Sequence, residues 1–325
     1  MKKRLTAVIA AALLGALCVA GCGNSGEKAE ETSAQPKEDA GQQETGEQKE
    51  EDEDKQSGDK EGSTAILVVS FGTSYNDSRD ITIGAIEEAI ADAFPDYEVR
   101  RAFTSQIIID KLKERDGLEI DNVEEALDRA AKDGISNLIV QTTHLMDGYE
   151  YTDLANALED YEDKFDQIVL GKPLLSDDAD FDAVVKAITE KTADYDDGET
   201  AVCFMGHGTE ADSNSVYPKL QDKLKEAGFE NYYIGTVEAE PGLEDVLSAL
   251  KEKGTYKKVV LEPLMVVAGD HANNDMAGDE EDSWKTVIEG EGYEVECILE
   301  GLGQVPAIQE IYVEHARAAA ESLTD

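Results

Sequence analysis

Residues 64–321 alternate between short apolar segments and longer segments with helical spacing. An apolar segment such as "TAILVVSF" (64–71) has the length and aliphatic content of a buried strand. A segment such as "GLEDVLSALKEKG" (242–254) has apolar residues at every third or fourth position, which is typical of a helix. Strands joined by helices pair in parallel, so the alternation predicts an α/β fold with mainly parallel sheets covered on both faces.

The alternation starts again near residue 200, which predicts an internal repeat. The segment "TAILVVSFGTS" (64–74) resembles "TAVCFMGHGTE" (200–210), and in both a strand leads into Gly-Thr. When the two copies are aligned, Phe71 falls opposite His207. The repeat therefore predicts two similar α/β halves, at about 64–198 and 199–325. In such sheets ligands bind at the carboxyl ends of the strands.

The chain divides into four parts on this basis. They are an export signal (1–22), an acidic linker (23–63), an N-terminal α/β half (64–198) and a C-terminal α/β half that ends in a closing helix (199–325). The two halves together are long enough to bury a substantial core.

The first 22 residues have the pattern of a bacterial export signal, with three basic residues before an apolar segment too short for a membrane span. The segment "VAGC" (19–22) resembles a lipobox, which implies cleavage before Cys22 and lipid attachment to its thiol. An ordinary secretory signal is the alternative. Residues 23–63 contain no aromatic residue and no aliphatic one larger than alanine, so they are expected to be a disordered tether. The predicted location is exported and lipid-anchored to the outer face of the cell membrane, or periplasmic.

The net charge of −44 argues against nucleic acid as a partner, because phosphates would be repelled, and favours cations. The turns "SFGTS" and "MGHGTE" follow strands but lack the lysine of a phosphate loop and the G-x-G-x-x-G pattern, so no nucleotide is expected. Cys203 and Cys297 lie in strand-like segments and are predicted to be buried thiols.

Three of the four histidines lie at or just past the predicted carboxyl ends of strands. These are His144, His207 and His271, and they come from both halves. Neutral imidazole is a frequent ligand of transition metals and also a base near neutral pH. The shared edge therefore predicts a site for an exchangeable divalent ion, although any single histidine could equally be a loop residue. His315 lies in the last helix and is expected to be a surface or packing residue.

Two carboxylates follow strands at the same edge. Glu150 falls opposite His271 in the repeat, and Glu238 ends "YYIGTVE" (232–238). Each is a candidate to accept a proton, complete a metal's coordination or contact a substrate. Hydroxyl groups of Ser70, Thr73 and Ser74 are candidates to contact a carboxylate ligand.

Six segments of the folded region stand out together: "LVVSFGTSYNDSRD", "RAFTSQIIIDKL", "HLMDGYEY", "FMGHG", "PLMVVAGDHANNDMAGDEEDSWK" and "GLGQVPAI". Together they resemble the anaerobic cobalt chelatase family CbiK, the sirohydrochlorin cobaltochelatases. The resemblance covers most of 64–320. It implies a chelatase-like fold, with two Rossmann-like parallel-sheet halves and a cleft between them that holds a tetrapyrrole. It also implies insertion of Co(II) into sirohydrochlorin without ATP.

The resemblance also implies roles for individual residues. His144 would be base and ligand, His207 would share in catalysis, and His207 and His271 would be metal ligands. Sirohydrochlorin is a polycarboxylate, so basic partners are needed within an acidic protein. The candidates are Arg101, Lys111 and Arg79.

Two alternatives remain open at this point. The metal could be Ni(II) or Fe(II) instead of Co(II), since histidines alone do not select among them. An exported lipoprotein could also bind a tetrapyrrole or a metal for uptake or storage without turnover.

Overall fold

The computed structural model describes residues 62–323, and these contain two parallel sheets of four strands each. The first sheet consists of β1 (Thr64–Ser70), β2 (Glu98–Phe103), β3 (Asn137–Thr142) and β4 (Gln167–Leu170), in the order β2-β1-β3-β4. The second consists of β5 (Thr200–Gly206), β6 (Tyr232–Thr236), β7 (Lys258–Pro263) and β8 (Glu294–Cys297), in the order β6-β5-β7-β8. The matching order confirms the predicted α/β fold with two Rossmann-like halves.

Helices connect the strands and cover both sheets. In the first half they are α1 (Asn76–Ile81), α2 (Ile83–Ala93), α3 (Gln106–Asp116), α4 (Val123–Lys132) and α5 (Tyr149–Glu159). They continue with α6 (Asp178–Lys191), α7 (Val216–Glu226), α8 (Leu243–Lys253), α9 (Trp284–Gly290) and α10 (Pro306–Glu321). Shorter 3₁₀ turns lie at Glu162–Lys164, Ala193–Tyr195, Asp212–Ser215 and Leu302–Gln304, and a π-helical turn spans Ala272–Met276.

The central strands β1 and β5 are apolar along their length because helices cover both of their faces. A single core cluster contains residues of both halves: Ile66 and Ile139 from the first sheet, Phe204 and Ile234 from the second, and Ile308 and Tyr312 from α10. Each such side chain contributes about 1.5–3 kcal/mol through burial. The halves therefore share a core.

The closing helix α10 packs against the first sheet, on β3 and β4, and against α2 and α6. The helix therefore packs on the first sheet although it follows the second sheet in the chain. The reason is its apolar face, where Ile308, Tyr312 and Val313 are buried beside residues of β1 and β3. The last helix crosses back and completes the core of the half that the chain formed first.

Other differences from the predicted elements are local. The segment "SRDITIGAIEEAIADAF" (78–94) has the spacing of one continuous helix, but the structure divides it into α1 and α2 at Thr82, whose backbone lies against Gly303. Helix α5 was not predicted, because only Leu154 and Leu158 of its 11 residues are buried. Ser63 is joined to the first sheet, because its carbonyl accepts hydrogen bonds from the backbone of Ser136 and Asn137.

The predicted signal (1–22), its Cys22 and linker residues 23–61 lie outside the described residues. Within residues 62–323, no helix has both the length and the apolar content that crossing a membrane requires.

Candidate metal-binding cleft

The loops that follow β5, β6 and β7 bring together three potential metal ligands. Ligand atoms of His207, Glu238 and His271 all lie within 4.8 Å of one another. Nε2 of His207 is 3.9 Å from Oε2 of Glu238. The rings of His207 and His271 meet edge to face, with their centroids 4.7 Å apart. Two imidazoles and one carboxylate form a ligand set suited to a divalent transition metal, with coordination positions left open.

His207 is fixed by the turn at the end of β5. Gly208 adopts a left-handed conformation with φ +88°, and a Cβ there would come within 2.8 Å of the backbone nitrogen of Ala239, so only glycine fits. The backbone N–H of Glu238 donates to the carbonyl of His207 at 2.9 Å, which holds these two ligands side by side. Nδ1 of His207 lies 2.8 Å from the carbonyl of Gly208. A proton on Nδ1 makes this hydrogen bond and leaves the Nε2 lone pair for a metal.

His271 immediately precedes the π-helical turn Ala272–Met276. Its Nδ1 lies 2.7 Å from Oδ2 of Asp275, four residues further along the same turn. The carboxylate accepts a hydrogen bond from Nδ1–H, which orients the ring and leaves the Nε2 lone pair for a metal, as outer-shell carboxylates do in metal sites. Turns of π-helix are frequent at functional sites, and this one brings ligand and supporting carboxylate to the same face.

His144 lies two residues beyond β3 and has a different environment. Its Nδ1 contacts the hydroxyl of Thr142, and its Nε2 is shielded from solvent without a hydrogen-bond partner. The residue as a whole is half-buried, so the shielding concerns the ring nitrogen. Burial lowers the pKa of His144 to about 4. The imidazole is therefore neutral near pH 7, with an uncommitted nitrogen.

Helix α10 supports the loop that carries His144. The buried hydroxyl of Tyr312 donates to the carbonyl of Thr143 at 2.9 Å. The backbone N–H of Leu174 donates to the carbonyl of His144 at 3.0 Å. The position of His144 therefore depends on the helix that crosses back from the end of the chain.

The main cavity, of about 820 Å³, is the cleft that both halves line. His144, His207, His271, Glu150 and Glu238 all line it. Its walls include three unusually exposed apolar residues, with exposed fractions of 48% for Phe71, 80% for Ile107 and 62% for Tyr149. Large apolar side chains left in contact with water around a cavity are typical of a surface that a ligand covers.

A second, smaller cavity of about 590 Å³ adjoins the main one, and we call it the side cavity. The two share Ser74, Tyr75 and Lys111. The remaining lining residues of the side cavity are mostly polar: Asn76, Asp77, Ser78, Arg115, Asn273 and Gln304, with Ile81, Ala268 and Leu299.

The structure brings together His207, His271 and Glu238, whereas His144 lines the same cavity without being in that group. The expected three-histidine face is thus two histidines and a glutamate, with the third histidine apart. Glu150 is exposed at the cavity wall.

The predicted hydroxyl groups line the main cavity but partly serve the protein itself. Ser70 accepts a hydrogen bond from Thr143 at 2.7 Å, and Thr73 accepts one from the backbone of Tyr75 at 3.2 Å. Ser74 lines both cavities.

The predicted basic residues have different environments. Arg101 is bound by Glu87, with Nε 2.7 Å from Oε1, and it is not among the residues that line either cavity. Arg79 is buried and donates to Asn76 at 2.9 Å. Lys111 lines both cavities. Of the three basic candidates, only Lys111 is in position to contact a ligand in the cleft.

His315 is a packing residue, which was one of the two environments expected for it. It is 8% exposed, and its two ring nitrogens lie 3.0 Å from Asp180 and 3.2 Å from the carbonyl of Lys172. These contacts join α10 to the start of α6.

The sequence prediction missed Asp275, Thr142 and Tyr312. The i, i+4 spacing of His271 and Asp275 could have revealed that pair, because side chains four apart share a helix face. Thr142, two residues before His144, carried no comparable signal. Nothing in the local sequence marks Tyr312, because its partner Thr143 lies far away along the chain.

The geometry separates two chemical tasks within one cleft. The trio after β5, β6 and β7 is suited to holding a divalent metal, and His144 offers a neutral, uncommitted nitrogen to a proton. The apolar walls of the same cleft suit a large, flat ligand.

Solved structures support the fold. SirB from Bacillus subtilis with Fe³⁺ aligns with a TM-score of 0.58 at 16% identity, over 80% of this chain and 97% of that one. The sirohydrochlorin chelatase SirB from the subspecies spizizenii, in complex with cobalt, aligns with a TM-score of 0.54 at 15% identity, over 80% of this chain and 96% of that one.

Sequence relatives are closer. A sirohydrochlorin cobaltochelatase of Salmonella typhimurium is 38% identical over 255 residues, which are 78% of this chain and 96% of the relative. The sirohydrochlorin cobaltochelatase CbiKC of Nitratidesulfovibrio vulgaris is 32% identical over 262 residues, which are 80% of this chain and 92% of the relative. Residues 64–321 match the family described as Cobalt chelatase (CbiK). The chain therefore belongs to the CbiK cobalt chelatase family.

Proposed function

We propose that the protein is a sirohydrochlorin cobaltochelatase, which inserts Co(II) into sirohydrochlorin without a nucleotide. The observation that carries the proposal is the trio His207, Glu238 and His271 in the same cavity as His144. Two curated relatives that are 38% and 32% identical bear the name of this activity.

The reaction replaces two pyrrole N–H protons with one divalent cation, so the charge balances without any oxidant or reductant. Co(II) must lose water and acquire ring nitrogens, while the ring must lose two protons. The trio can hold the incoming Co(II) while its water is replaced, because three protein ligands leave other coordination positions of the metal open.

His144 is assigned to receive a proton from the ring. Its Nε2 has no hydrogen-bond partner among the described residues, and its imidazole is neutral near pH 7 because burial lowers its pKa. A pKa of about 4 describes a weak base. A polyanionic substrate beside the imidazole favours its protonated form and raises this pKa when it binds.

The apolar walls are assigned to the faces of the macrocycle. Phe71, Ile107 and Tyr149 are exposed around the main cavity, and stacking a flat ring on them removes apolar surface from water. Co(II) is the proposed physiological metal, and Fe(II) and Ni(II) are competitors for the same ligands.

The proposal extends to the location of the protein. The basic and apolar N-terminal segment and the "VAGC" sequence support an exported protein that is anchored to the outer face of the cell membrane through lipid on Cys22. A Cys22→Ala variant would then lose incorporation of a labelled fatty acid. Unchanged labelling in that variant would contradict the anchor.

Absorbance-monitored insertion under anaerobic conditions tests the function. Purified protein, sirohydrochlorin and Co(II) are mixed, beside a His144→Ala control and a reaction without protein. A catalysed spectral conversion that the control lacks is expected. Binding of the tetrapyrrole without any rate above the uncatalysed one would instead support a binding protein for uptake or storage.

A further inference from the structure

We infer that the side cavity binds a carboxylate side chain of the tetrapyrrole and that Lys111 is its cationic partner. The inference rests on the proposed function, because it assumes a ring in the main cavity whose substituents project beyond it. Acetate and propionate groups on the rim of such a ring have carboxylates at the ends of short, flexible chains.

Charge in the main cavity singles out Lys111. Four carboxylates line this cavity, those of Glu150, Glu210, Glu238 and Asp270, and the lining contains a single lysine and no arginine. The four carboxylates would repel a polyanionic ligand, whereas the lysine would attract it. The side chain of Lys111 is therefore the group that can attract an anionic substituent and fix the orientation of the ring.

Lys111 is also uncommitted. Within residues 62–323 it makes no ion pair or hydrogen bond through its side chain, whereas the neighbouring Arg115 is bound by Asp116 and Asn76 at 2.8 Å each. Lys113 on the same helix is paired with Glu119 at 3.3 Å. A charge-assisted hydrogen bond to a ligand would thus cost Lys111 no existing partner.

Helix α3 places Lys111 where the two cavities meet. Ile107, Lys111 and Arg115 are spaced four residues apart and share one face of the helix. Ile107 lines the main cavity, Lys111 lines both and Arg115 lines the side cavity. Along this face, contacts change from apolar to cationic, as they would along a ring and its carboxylate substituent.

The side cavity contains a second group that needs a partner. Oγ of Ser78 is shielded from solvent and has no hydrogen-bond partner among the described residues. A hydroxyl in this state is costly unless a ligand or water contacts it, and a carboxylate oxygen would accept a hydrogen bond from it. Asp77 also lines this cavity but is exposed, so solvent screens its charge.

Titration of the full protein with metal-free sirohydrochlorin tests the inference. Lys111→Met is compared with Lys113→Met, which removes the same charge from the same helix. We expect Kd to rise about tenfold for Lys111→Met and to change less than about twofold for Lys113→Met. Lys111→Arg should restore most of the affinity, and Ser78→Ala should weaken binding by about two- to fivefold.

Co(II) titration without tetrapyrrole is the folding control, because all four variants retain the trio and should bind the metal as the unmodified protein does. Equal Kd values for sirohydrochlorin in Lys111→Met and Lys113→Met would overturn the inference. The proposed function fails by a different result, namely absence of catalysed insertion by the unmodified protein. The binding difference between the two lysine variants would still be measurable in that case.

Discussion

The two halves of the molecule have the same backbone plan and different chemistry. Gly72 and Gly208 occupy equivalent turns, with φ +95° and +88°. In both turns the next residue is a threonine whose hydroxyl accepts a backbone hydrogen bond at 3.2 Å, from Tyr75 in one half and Ala211 in the other. The repeat is therefore preserved in the geometry of the strand ends.

The side chains at these matched positions differ in kind. Phe71 in the first half corresponds to His207 in the second, and Glu150 corresponds to His271. The second half supplies the metal-binding trio, while the first supplies apolar walls and the shielded His144. The loop at a strand end thus fixes the position of a side chain. The type of side chain at that position then determines whether it can bind a metal or pack against a ring.

Removing the metal ligands from the second half is the strongest test of its assignment to metal binding. A His207→Ala/His271→Ala double variant should lose Co(II) affinity by at least about 1,000-fold, more than the 10–100-fold typical of an outer-shell partner. The matched control, Phe71→Ala/Glu150→Ala, changes the equivalent positions of the first half. Calorimetric titration should show near-normal metal affinity for the control, and a comparable loss in both would refute the division.

Removing His144 tests its proposed role as the acceptor of a proton from the tetrapyrrole. His144→Ala should lower the rate of Co(II) insertion by about 10²–10⁴-fold, the usual contribution of a proton-transfer group. Its Co(II) affinity should stay within about threefold of normal, because the trio is intact. A fall in metal affinity as large as the fall in rate would make His144 a metal ligand.

The environment of His144 also predicts a dependence of stability on pH. Its pKa is lowered by burial from 6.5 to about 4 in the folded protein. Between these values the unfolded chain binds the proton more readily, so stability falls as the pH drops from about 6.5 to about 4, by about 3 kcal/mol in total. Denaturant unfolding across this range should show the loss in the unmodified protein and a smaller one in His144→Gln. Parallel curves would contradict the shielding of the ring.

A smaller effect is expected when the partner of His271 is changed instead of the ligand itself. Asp275→Asn keeps the shape at position 275 but removes the charge that supports His271, so Co(II) affinity should fall about 10–100-fold. Asp279→Asn is the control, because Asp279 lies on the same segment and pairs with Lys285 at 2.8 Å. Equal affinities in the two variants would mean that the hydrogen bond to His271 does not tune the metal site.

The regular parts of the fold were accessible from the sequence because they depend on local patterns. Apolar segments such as "TAILVVSF" (64–71) predicted the strands of a parallel sheet, and the shared Gly-Thr pattern indicated the repeat. Two of the three predicted histidines meet, since strand ends of a parallel sheet share one edge. Helix α5 was missed because its buried face is too small to produce a clear period.

The remaining features depend on contacts between distant parts of the chain. The separation of His144 from the trio follows from how the two halves face each other, which no local spacing encodes. The hydrogen bond between Tyr312 and Thr143 joins residues that are 169 positions apart in the chain. The commitment of Arg101 to Glu87 likewise depends on the packing of β2 against α2.

The crossing of α10 has a consequence for the order of folding. Ile308 and Tyr312 of α10 belong to the same core as Ile66 of β1. This face of β1 therefore becomes fully covered only after the last helix has been synthesised. Contacts between such distant residues form late, because a long loop must close first. We expect a chain that ends before residue 306 to leave the first sheet open to proteases. Completion of synthesis would then be the event that fixes the loop of His144.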